Sequence, residues 1–249
     1  MSLALERASV IRKGRAILDT ASFELLPGRF SAICGPNGAG KSTALSLLTG
    51  AERPDRGAAR LDGQEIRSLP QAELARRRAV VAQQHRLTFP FLVHEVVAMG
   101  RAPHQGRSAP EDDAAITTAA MEAMELLPLA ERNYLTLSGG ERQRAMIARA
   151  LAQVWNAPEV GHRWLVLDEP TAALDLKYQL SLMRLLKRLA GEDWGIVAVL
   201  HDLPLVERFT DHVVVMKDGG VFAQGVPGEV LTPQGIAEVY DLDEPYELV

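Results

Sequence analysis

The residues best suited to chemistry lie in a glycine-rich stretch whose composition fits polyphosphate binding. This phosphate loop, residues 35–43, fits the pattern G-x-x-x-x-G-K-[ST] and reads Gly35, Pro36, Asn37, Gly38, Ala39, Gly40, Lys41, Ser42 and Thr43. Glycines let a loop aim several backbone N–H groups at an anion. Lys41 can then reach the β- and γ-phosphates, and the Ser42 hydroxyl can bind Mg²⁺. A turn without chemical meaning is the alternative, but this pattern arises by chance in roughly one chain in a hundred of this length.

A pair of carboxylates follows a continuous apolar run at residues 164–167. Such a run is typical of a buried parallel strand, and α/β sheets present their ligands at the carboxyl ends of these strands. Beside a phosphate loop, Asp168 is expected to bind Mg²⁺ opposite Ser42, directly or through water. Glu169 is expected to face the γ-phosphate and to polarise the attacking water as general base. Without the phosphate loop, a solvated strand end would be the simpler interpretation.

A third motif, Leu-Ser-Gly-Gly-Glu-Arg-Gln, begins at residue 137 and predicts a helix start. Ser138 fits the N-cap and Glu141 the third helical position of a capping box. A capped helix alone does not explain two glycines, Gly139 and Gly140, in the first turn, where they cost helix stability. Close approach of an anion to that N-terminus would explain them.

Length and composition limit the remaining possibilities. The 249 residues are 47% hydrophobic, which suffices for a large core. The net charge of −5 argues against a nucleic-acid partner. Cys34 has no second cysteine to pair with, no export signal is apparent, and no run approaches 18 uncharged apolar residues. A cytoplasmic protein is expected, which is compatible with docking onto a membrane protein.

The surrounding pattern predicts alternating strands and helices that position these motifs. A mostly helical insertion is expected at residues 88–155, where prolines interrupt helical periodicity. Helices are also predicted at residues 176–190 and 204–209. Strands are predicted at residues 3–10, 21–26, 58–61, 79–82, 164–167 and 196–200, with another leading into the phosphate loop.

Taken in order, the phosphate loop, Leu-Ser-Gly-Gly-Glu-Arg-Gln and Val-Leu-Asp-Glu-Pro-Thr-Ala-Ala-Leu-Asp resemble the ATP-binding subunit of ABC transporters over nearly the whole chain. The resemblance implies an α/β P-loop NTPase fold with a mostly parallel sheet, an antiparallel β subdomain and the helical subdomain inserted into a RecA-like core. All of it would form one domain, residues 1–249. Two such subunits would bind two ATP molecules head to tail, so Ser138, Gly139, Gly140 and Glu141 would act on the partner's ATP.

The resemblance also implies three further site residues. Gln83 would link Mg²⁺ or the attacking water to the membrane partner, with its neighbour Gln84 as the alternative. Asp175 would lie in a loop that contacts the second subunit. His201 would sense the γ-phosphate, and its position after an apolar strand suits that role. On its own, a single histidine is better explained as a satisfied surface or core residue.

One position departs from the family pattern. The family stacks adenine on an aromatic residue upstream of the phosphate loop, and counting back from Ser22 and Phe23 places that position near Arg12. An arginine guanidinium can stack on a base. A solvated Arg12 without that role is the alternative.

Within the family, residues 88–104 resemble the importers of haem, ferric siderophores and cobalamin, and residues 153–158 and 174–179 look most like haemin importers. This implies a membrane permease dimer, a periplasmic substrate-binding protein and a place at the cytoplasmic membrane face. His94 and His104 are interpreted as surface or permease-contact residues. Phe89, Phe91 and Leu92 are expected beside the permease, with core packing as the likelier role of any single one.

Proteins of other classes fit less well. A DNA-repair ATPase of this family would need a long coiled coil between the phosphate loop and the third motif, and a translation-associated one would need two cassettes. An adaptor with a vestigial site would have damaged motifs. The chain has neither insertion nor damage, so an ATP-hydrolysing transport subunit is the prediction.

Overall fold

The computed structural model describes residues 2–82 and 87–248, and its centre is a six-stranded sheet. Its strand order is β10-β9-β3-β8-β7-β6, with only β10 antiparallel to its neighbour. The strands are β3 (Phe30–Cys34), β6 (Arg78–Val81), β7 (Trp164–Asp168), β8 (Gly195–Val199), β9 (His212–Lys217) and β10 (Gly220–Gly225). The continuous apolar runs in β3, β7 and β8 are buried on both faces, as parallel central strands require.

A second sheet has four antiparallel strands in the order β2-β1-β4-β5. These are β1 (Leu3–Arg12), β2 (Arg15–Leu25), β4 (Arg56–Leu61) and β5 (Gln64–Glu65). In β2, buried and exposed residues alternate, so one face packs inward. The predicted strands at residues 3–10 and 21–26 correspond to β1 and β2, and both observed strands are longer than the predicted ones.

Nine α-helices pack around the sheets in the described part of the chain. They are α1 (Lys41–Leu48), α2 (Gln71–Arg77), α3 (Val93–Ala98), α4 (Pro110–Ala123), α5 (Gly139–Gln153), α6 (Leu176–Gly191), α7 (Leu203–Phe209), α8 (Pro227–Val230) and α9 (Pro233–Tyr240). Single 3₁₀ turns add to them, including Met99–His104 between α3 and α4. No helix in residues 2–82 or 87–248 is long and apolar enough to span a membrane.

The six-stranded sheet separates two buried apolar clusters. One lies between this sheet and the helices α3 to α7, with Leu165, Leu167 and Met183 among its members. The other joins α1 to the antiparallel sheet and includes Trp164 and Val166. Successive residues of β7 therefore point into different clusters, which fixes that strand firmly in the middle of the molecule.

The observed fold confirms the predicted fold class. It also contains elements that the pattern analysis did not predict, notably α2, β9, β10, α8 and α9. The β9–β10 hairpin had a readable signal, because Asp218 and Gly219 separate two apolar runs and both have positive φ. Within the predicted helical insertion, α4 begins at Pro110 and ends at Ala123.

Candidate active site

The candidate site lies at the carboxyl edge of three neighbouring parallel strands. The phosphate loop follows β3, the carboxylate pair ends β7, and His201 comes just after β8, which lies between them. Residues from the carboxyl ends of adjacent parallel strands reach one crevice. The sheet order thus gathers motifs that are more than 150 residues apart in sequence.

Close packing explains two glycines of the phosphate loop. Gly35 has φ 137°, and a Cβ there would collide with the Met216 carbonyl oxygen of β9. Gly40 has φ 94°, and its Cβ would lie 2.8 Å from the Ile17 carbonyl oxygen. Gly38, by contrast, faces open space. The loop is therefore held from behind while its tip stays accessible: Asn37 and Gly38 are exposed, Pro36 and Thr43 are half-buried, and Ala39 is buried.

Lys41 is buried with its ammonium group inside this loop. Its Nζ donates to the carbonyl oxygens of Gly35 at 2.7 Å and Pro36 at 2.8 Å. Burial lowers the pKa of Lys41, and the neighbouring Cys34, Glu169 and Asp168 oppose that change. The ammonium group is therefore within electrostatic reach of both carboxylates, as a lysine between a phosphate loop and the end of β7 must be.

Ser42 and Asp168 face each other across the site, and together they fit Mg²⁺. Burial raises the pKa of Asp168, as does Glu169, whereas His201, Lys41 and a hydrogen bond from the Ser42 side chain lower it. The Asp168 Oδ1 atom is buried without a hydrogen-bond partner in the described residues. A hydroxyl and a carboxylate oxygen are ligands that Mg²⁺ prefers, and nucleotide phosphates commonly supply others.

Glu169 and His201 are in direct contact at the site. The His201 Nε2 atom lies 2.7 Å from Glu169 Oε1. Because a carboxylate can only accept, Nε2 carries the hydrogen. Glu169 also has φ 49°, a left-handed backbone conformation that costs non-glycine residues energy and is frequent at functional sites.

The N-terminus of α5 has the predicted capping box. The Ser138 Oγ accepts from the Glu141 N–H at 3.2 Å, and Glu141 Oε2 accepts from the Ser138 N–H at 2.7 Å. This backbone hydrogen bond is the main reason why the pKa of Glu141 is lowered. The prediction of a capped helix start is confirmed.

The two glycines of α5 differ in their surroundings. A Cβ on Gly140 would lie 2.9 Å from the Ala173 carbonyl oxygen, so packing against the segment after Glu169 explains this glycine. A Cβ on Gly139 would meet nothing within 4 Å. Among the described residues, no hydrogen bond or ion pair joins residues 138–141 to the phosphate loop of the same chain.

The remaining predicted residues have local partners or fall outside the described chain. Asp175 caps α6, with its Oδ1 accepting from the Tyr178 N–H at 3.1 Å. Arg12 is largely exposed and forms an ion pair with Glu52, just beyond α1. Gln83, together with its alternative Gln84, lies outside the described residues.

Two side chains of the helical region differ from the sequence interpretation. His104 is buried, and its Nε2 lies 2.8 Å from the Gln153 carbonyl oxygen, so it holds the end of α5 and is not a surface residue. The reason is that the 3₁₀ turn Met99–His104 packs directly on α5. Phe89 is 67% exposed, although core packing was the likelier role, while Phe91 is partly buried against the core.

Sequence reasoning missed Tyr240, at the end of α9. Its hydroxyl accepts a hydrogen bond from the backbone of Gly35, and burial raises its pKa to about 12. It also borders a small apolar cavity with Cys34, whose pKa burial raises to about 12 as well. No local pattern could identify Tyr240, because its partner lies about two hundred residues earlier in the chain.

Comparisons with known proteins agree with this geometry. The profile of the family described as "ABC transporter" matches residues 18–172. The chain is 44% identical to the hemin import ATP-binding protein HmuV of Hahella chejuensis, covering 94% of this chain and 91% of that protein. It is 43% identical to the protein of the same name from Escherichia coli O157:H7, covering 93% and 89%.

Solved structures agree as well. The dimeric structure of a bacterial ABC transporter cassette has a TM-score of 0.79 at 28% identity, covering 90% of this chain and 98% of that one. An inward-facing putative metal-chelate type ABC transporter has a TM-score of 0.78 at 28% identity, covering 96% and 88%. With the phosphate loop, the carboxylate pair and the α5 motif in place, the chain belongs to the ABC transporter family, as an ATP-binding protein.

Proposed function

We propose that this protein is the ATP-hydrolysing subunit of an importer that carries haem through a membrane permease. The observation that carries the hydrolytic part is the convergence of Lys41, Asp168, Glu169 and His201 on one edge of the sheet, with Glu169 and His201 in direct contact. An adaptor without activity has no need of a strained glutamate held by a histidine.

Each residue of the edge has a distinct part in hydrolysis. The phosphate-loop N–H groups and Lys41 bind the β- and γ-phosphates of ATP. Ser42 and Asp168 would hold Mg²⁺, and the bound ion would neutralise phosphate charge. Glu169 accepts a proton from the attacking water, and His201 keeps the Glu169 carboxylate oriented through its Nε2–H. Gln83, which lies outside the described residues, would link Mg²⁺ or the attacking water to the membrane partner.

The active form is a head-to-tail homodimer in which Ser138, Gly139, Gly140 and Glu141 meet the partner's ATP. The free space at Gly139 and the lack of bonds from this helix end to its own phosphate loop, within the described chain, support that arrangement. Asp175 holds the start of α6, so the preceding segment is fixed for contact with the second subunit. Arg12 is the proposed adenine-stacking residue, and its ion pair with Glu52 competes with that role.

The permease dimer docks on the helical subdomain, approximately residues 88–155, which is inserted into the single domain 1–249. Exposed Phe89 and a groove of about 870 Å³ support this location. The exposed surface of the groove is mostly apolar, with Ala98, Met99, Ala102, Met121 and Leu127 among its lining residues, although polar side chains such as His94 and Asp113 also border it. A transmembrane partner's cytoplasmic helix fits such a surface.

Haem is the proposed cargo because relatives at 41–46% identity over most of the chain are named hemin import ATP-binding proteins. Ferric siderophore or cobalamin import by the same motor is the second candidate, favoured by the likeness to a putative metal-chelate transporter. A periplasmic substrate-binding protein delivers the cargo to the permease and is therefore only an indirect partner of this subunit. The subunit itself is placed at the cytoplasmic face of the membrane, with ATP and Mg²⁺ as its ligands and no nucleic acid.

The test is ATP-driven uptake in vesicles that contain the subunit with its co-purifying permease and binding protein. Haem is expected to accumulate in preference to a ferric siderophore or cobalamin. Robust cobalamin uptake without haem uptake would overturn the cargo and leave the motor intact. Gln83→Ala and a charge at Leu92 are expected to reduce uptake more than ATP affinity, because both change contact with the permease and not with the phosphate loop.

A further inference from the structure

A polar cavity separate from the candidate active site lies at the C-terminal end of α5. Its volume is about 490 Å³, within the range of small-molecule sites. It is bordered by α2, by the 3₁₀ turn Met99–His104 with the residues just after it, and by residues 156–160 before β7. Nothing in the proposed ATP cycle uses it.

The lining is unusually rich in guanidinium groups. Four arginines border the cavity, against two glutamates. They are Arg76, Arg77, Arg101 and Arg107, and the glutamates are Glu73 and Glu159. Arginine forks match phosphate oxygens in geometry as well as in charge.

Two of these arginines are buried and rigidly held. Arg77 is 5% exposed and pairs with Asp62 and Glu73. Arg101 is 4% exposed, and its Nε and Nη1 donate to Asp113 Oδ1 at 2.8 Å and to the Ala152 carbonyl oxygen at 2.7 Å. Their positions are therefore set by the protein before any ligand arrives.

Both buried arginines still have an unused donor. Arg101 Nη2 and Arg77 Nε are buried without a hydrogen-bond partner in the described residues. A buried N–H of a charged group that lacks an acceptor costs free energy, so the protein compensates the charge of these two guanidinium groups only in part. The carbonyl oxygens of Ala152 and Gln153 at the end of α5 accept hydrogen bonds from Arg101 Nη1 and His104 Nε2.

Arg76 contributes positive charge to the cavity. Arg76 is half-buried and has no ion pair with any carboxylate in residues 2–82 or 87–248. His104 bonds the Gln153 carbonyl oxygen through Nε2. Burial is the main cause that lowers its pKa; Arg101 and Arg76 act in the same direction, whereas that hydrogen bond and Asp113 oppose them. The pairing of Arg107 with Glu159, at 3.8 Å between exposed side chains, contributes little.

The chain that closes the cavity is shaped around Arg77. Gly161, with φ 80°, lies so close that a Cβ there would collide with Arg77 Nη2 and lie 2.7 Å from Asp62 Oδ2. Only glycine therefore lets the segment before β7 fold over the Arg77–Asp62 pair. This part of the cavity wall therefore depends on a glycine at position 161.

We propose that this cavity binds a phosphate-type anion, either inorganic phosphate or the phosphate group of a small metabolite, at a site separate from the ATP site. A tetrahedral phosphate offers oxygens in several directions, which suits donors from two elements, Arg76 and Arg77 on α2 and Arg101 on the Met99–His104 segment. A flat carboxylate meets fewer of them. The binding is independent of the cargo and of ATP hydrolysis.

The experiment is calorimetric titration of the full chain with inorganic phosphate at constant ionic strength. A saturating non-hydrolysable ATP analogue with Mg²⁺ keeps phosphate out of the phosphate loop. Binding is expected for the parent chain, and Arg76→Ala is expected to weaken it at least about tenfold, since hydrogen bonds to charged groups are among the stronger ones. Arg76→Lys is expected to recover part of that loss, because it restores the charge without the fork.

The matched control is Arg184→Ala, which removes an exposed arginine from α6 and is expected to bind phosphate as the parent does. Malonate tests the carboxylate alternative, and glucose 6-phosphate the metabolite source. Equal phosphate binding by the parent and Arg76→Ala, no binding at all, or tighter binding of malonate than of phosphate would overturn the proposal. Normal ATP binding in the same samples keeps this outcome separate from a failure of the proposed function.

Discussion

The catalytic edge and the N-terminus of α5 have equally clear sequence motifs, yet their polar groups are satisfied differently. At the edge, Asp168 keeps a buried oxygen without a partner and Glu169 has a strained backbone. At the helix, Ser138 and Glu141 satisfy each other in a capping box. The edge therefore keeps a polar group that a bound ligand would satisfy. At the helix end, the capping groups satisfy each other within the chain, so the end is free to contact a second subunit.

The strongest test of the edge is Glu169→Gln. The amide keeps the shape of the side chain and loses the base, so hydrolysis is expected to fall by about 10²–10⁴-fold while ATP binding persists. Single-turnover hydrolysis and nucleotide binding measure the two effects, and an ATP-bound dimer is expected to accumulate. Glu192→Gln, at the exposed end of α6, is the control. Parental turnover in Glu169→Gln would remove Glu169 from the role of base.

The helix end is tested by Ser138→Arg, whose bulk blocks the partner's γ-phosphate from α5. Alone, this variant is expected to lose hydrolysis and to keep binding of one ATP per monomer. Mixed with Lys41→Ala, it is expected to regain activity, because one site of the mixed dimer combines an intact phosphate loop with an intact helix end. A mixture as inactive as its components would contradict the head-to-tail arrangement, and the N-terminus of α5 would then have no assigned role in the second subunit's site.

The unsatisfied carboxylate predicts a stability effect at the edge. Because the pKa of Asp168 is raised in the folded protein, its stabilising contribution is present below its unfolded pKa and is lost as pH rises through the folded value. At pH 7 the ionised side chain therefore costs stability. Asp168→Asn is expected to raise the melting temperature of the nucleotide-free protein by a few degrees at pH 7 and to abolish Mg²⁺-dependent hydrolysis.

Thermal unfolding at pH 7 and near pH 3.5 measures this effect, and the gain is expected to disappear at the lower pH. Asp243→Asn, an exposed substitution near the C-terminus, is the control and is expected to leave the melting temperature unchanged. A melting temperature lowered by Asp168→Asn at pH 7 would mean that the carboxylate is satisfied after all, and the edge would then resemble the helix end.

The smallest expected effect is a difference in the free energy of unfolding between substitutions at the two glycines of α5. Gly140→Ala forces a Cβ to 2.9 Å from the Ala173 carbonyl oxygen and is expected to destabilise the fold by about 1–3 kcal/mol, the usual range for overpacking. Gly139→Ala has open space and is expected to be neutral or to stabilise by up to about 1 kcal/mol. Urea unfolding of both variants measures the difference. Equal values would show that packing does not distinguish the two positions.

The sequence alone supports most of the site and much of the fold. Local patterns identified the phosphate loop, the carboxylate pair and the capping box, because each depends on residues next to one another in the chain. Continuous apolar runs identified β7 and β8 for the same reason. The roles assigned to Gln83, Asp175 and His201 rested on family resemblance, and all three remain predictions.

Other features depended on contacts between distant segments, and only the tertiary structure decided them. His104 was interpreted as a surface residue, yet it bonds the end of α5, some fifty residues later. Gly140 is required because the Ala173 carbonyl group leaves no room for a Cβ. Tyr240, near the C-terminus, bonds the backbone of Gly35 near the N-terminus. The sequence determined which groups could do chemistry. The order of the parallel strands decided which of them meet, because pairing across a sheet is independent of separation along the chain.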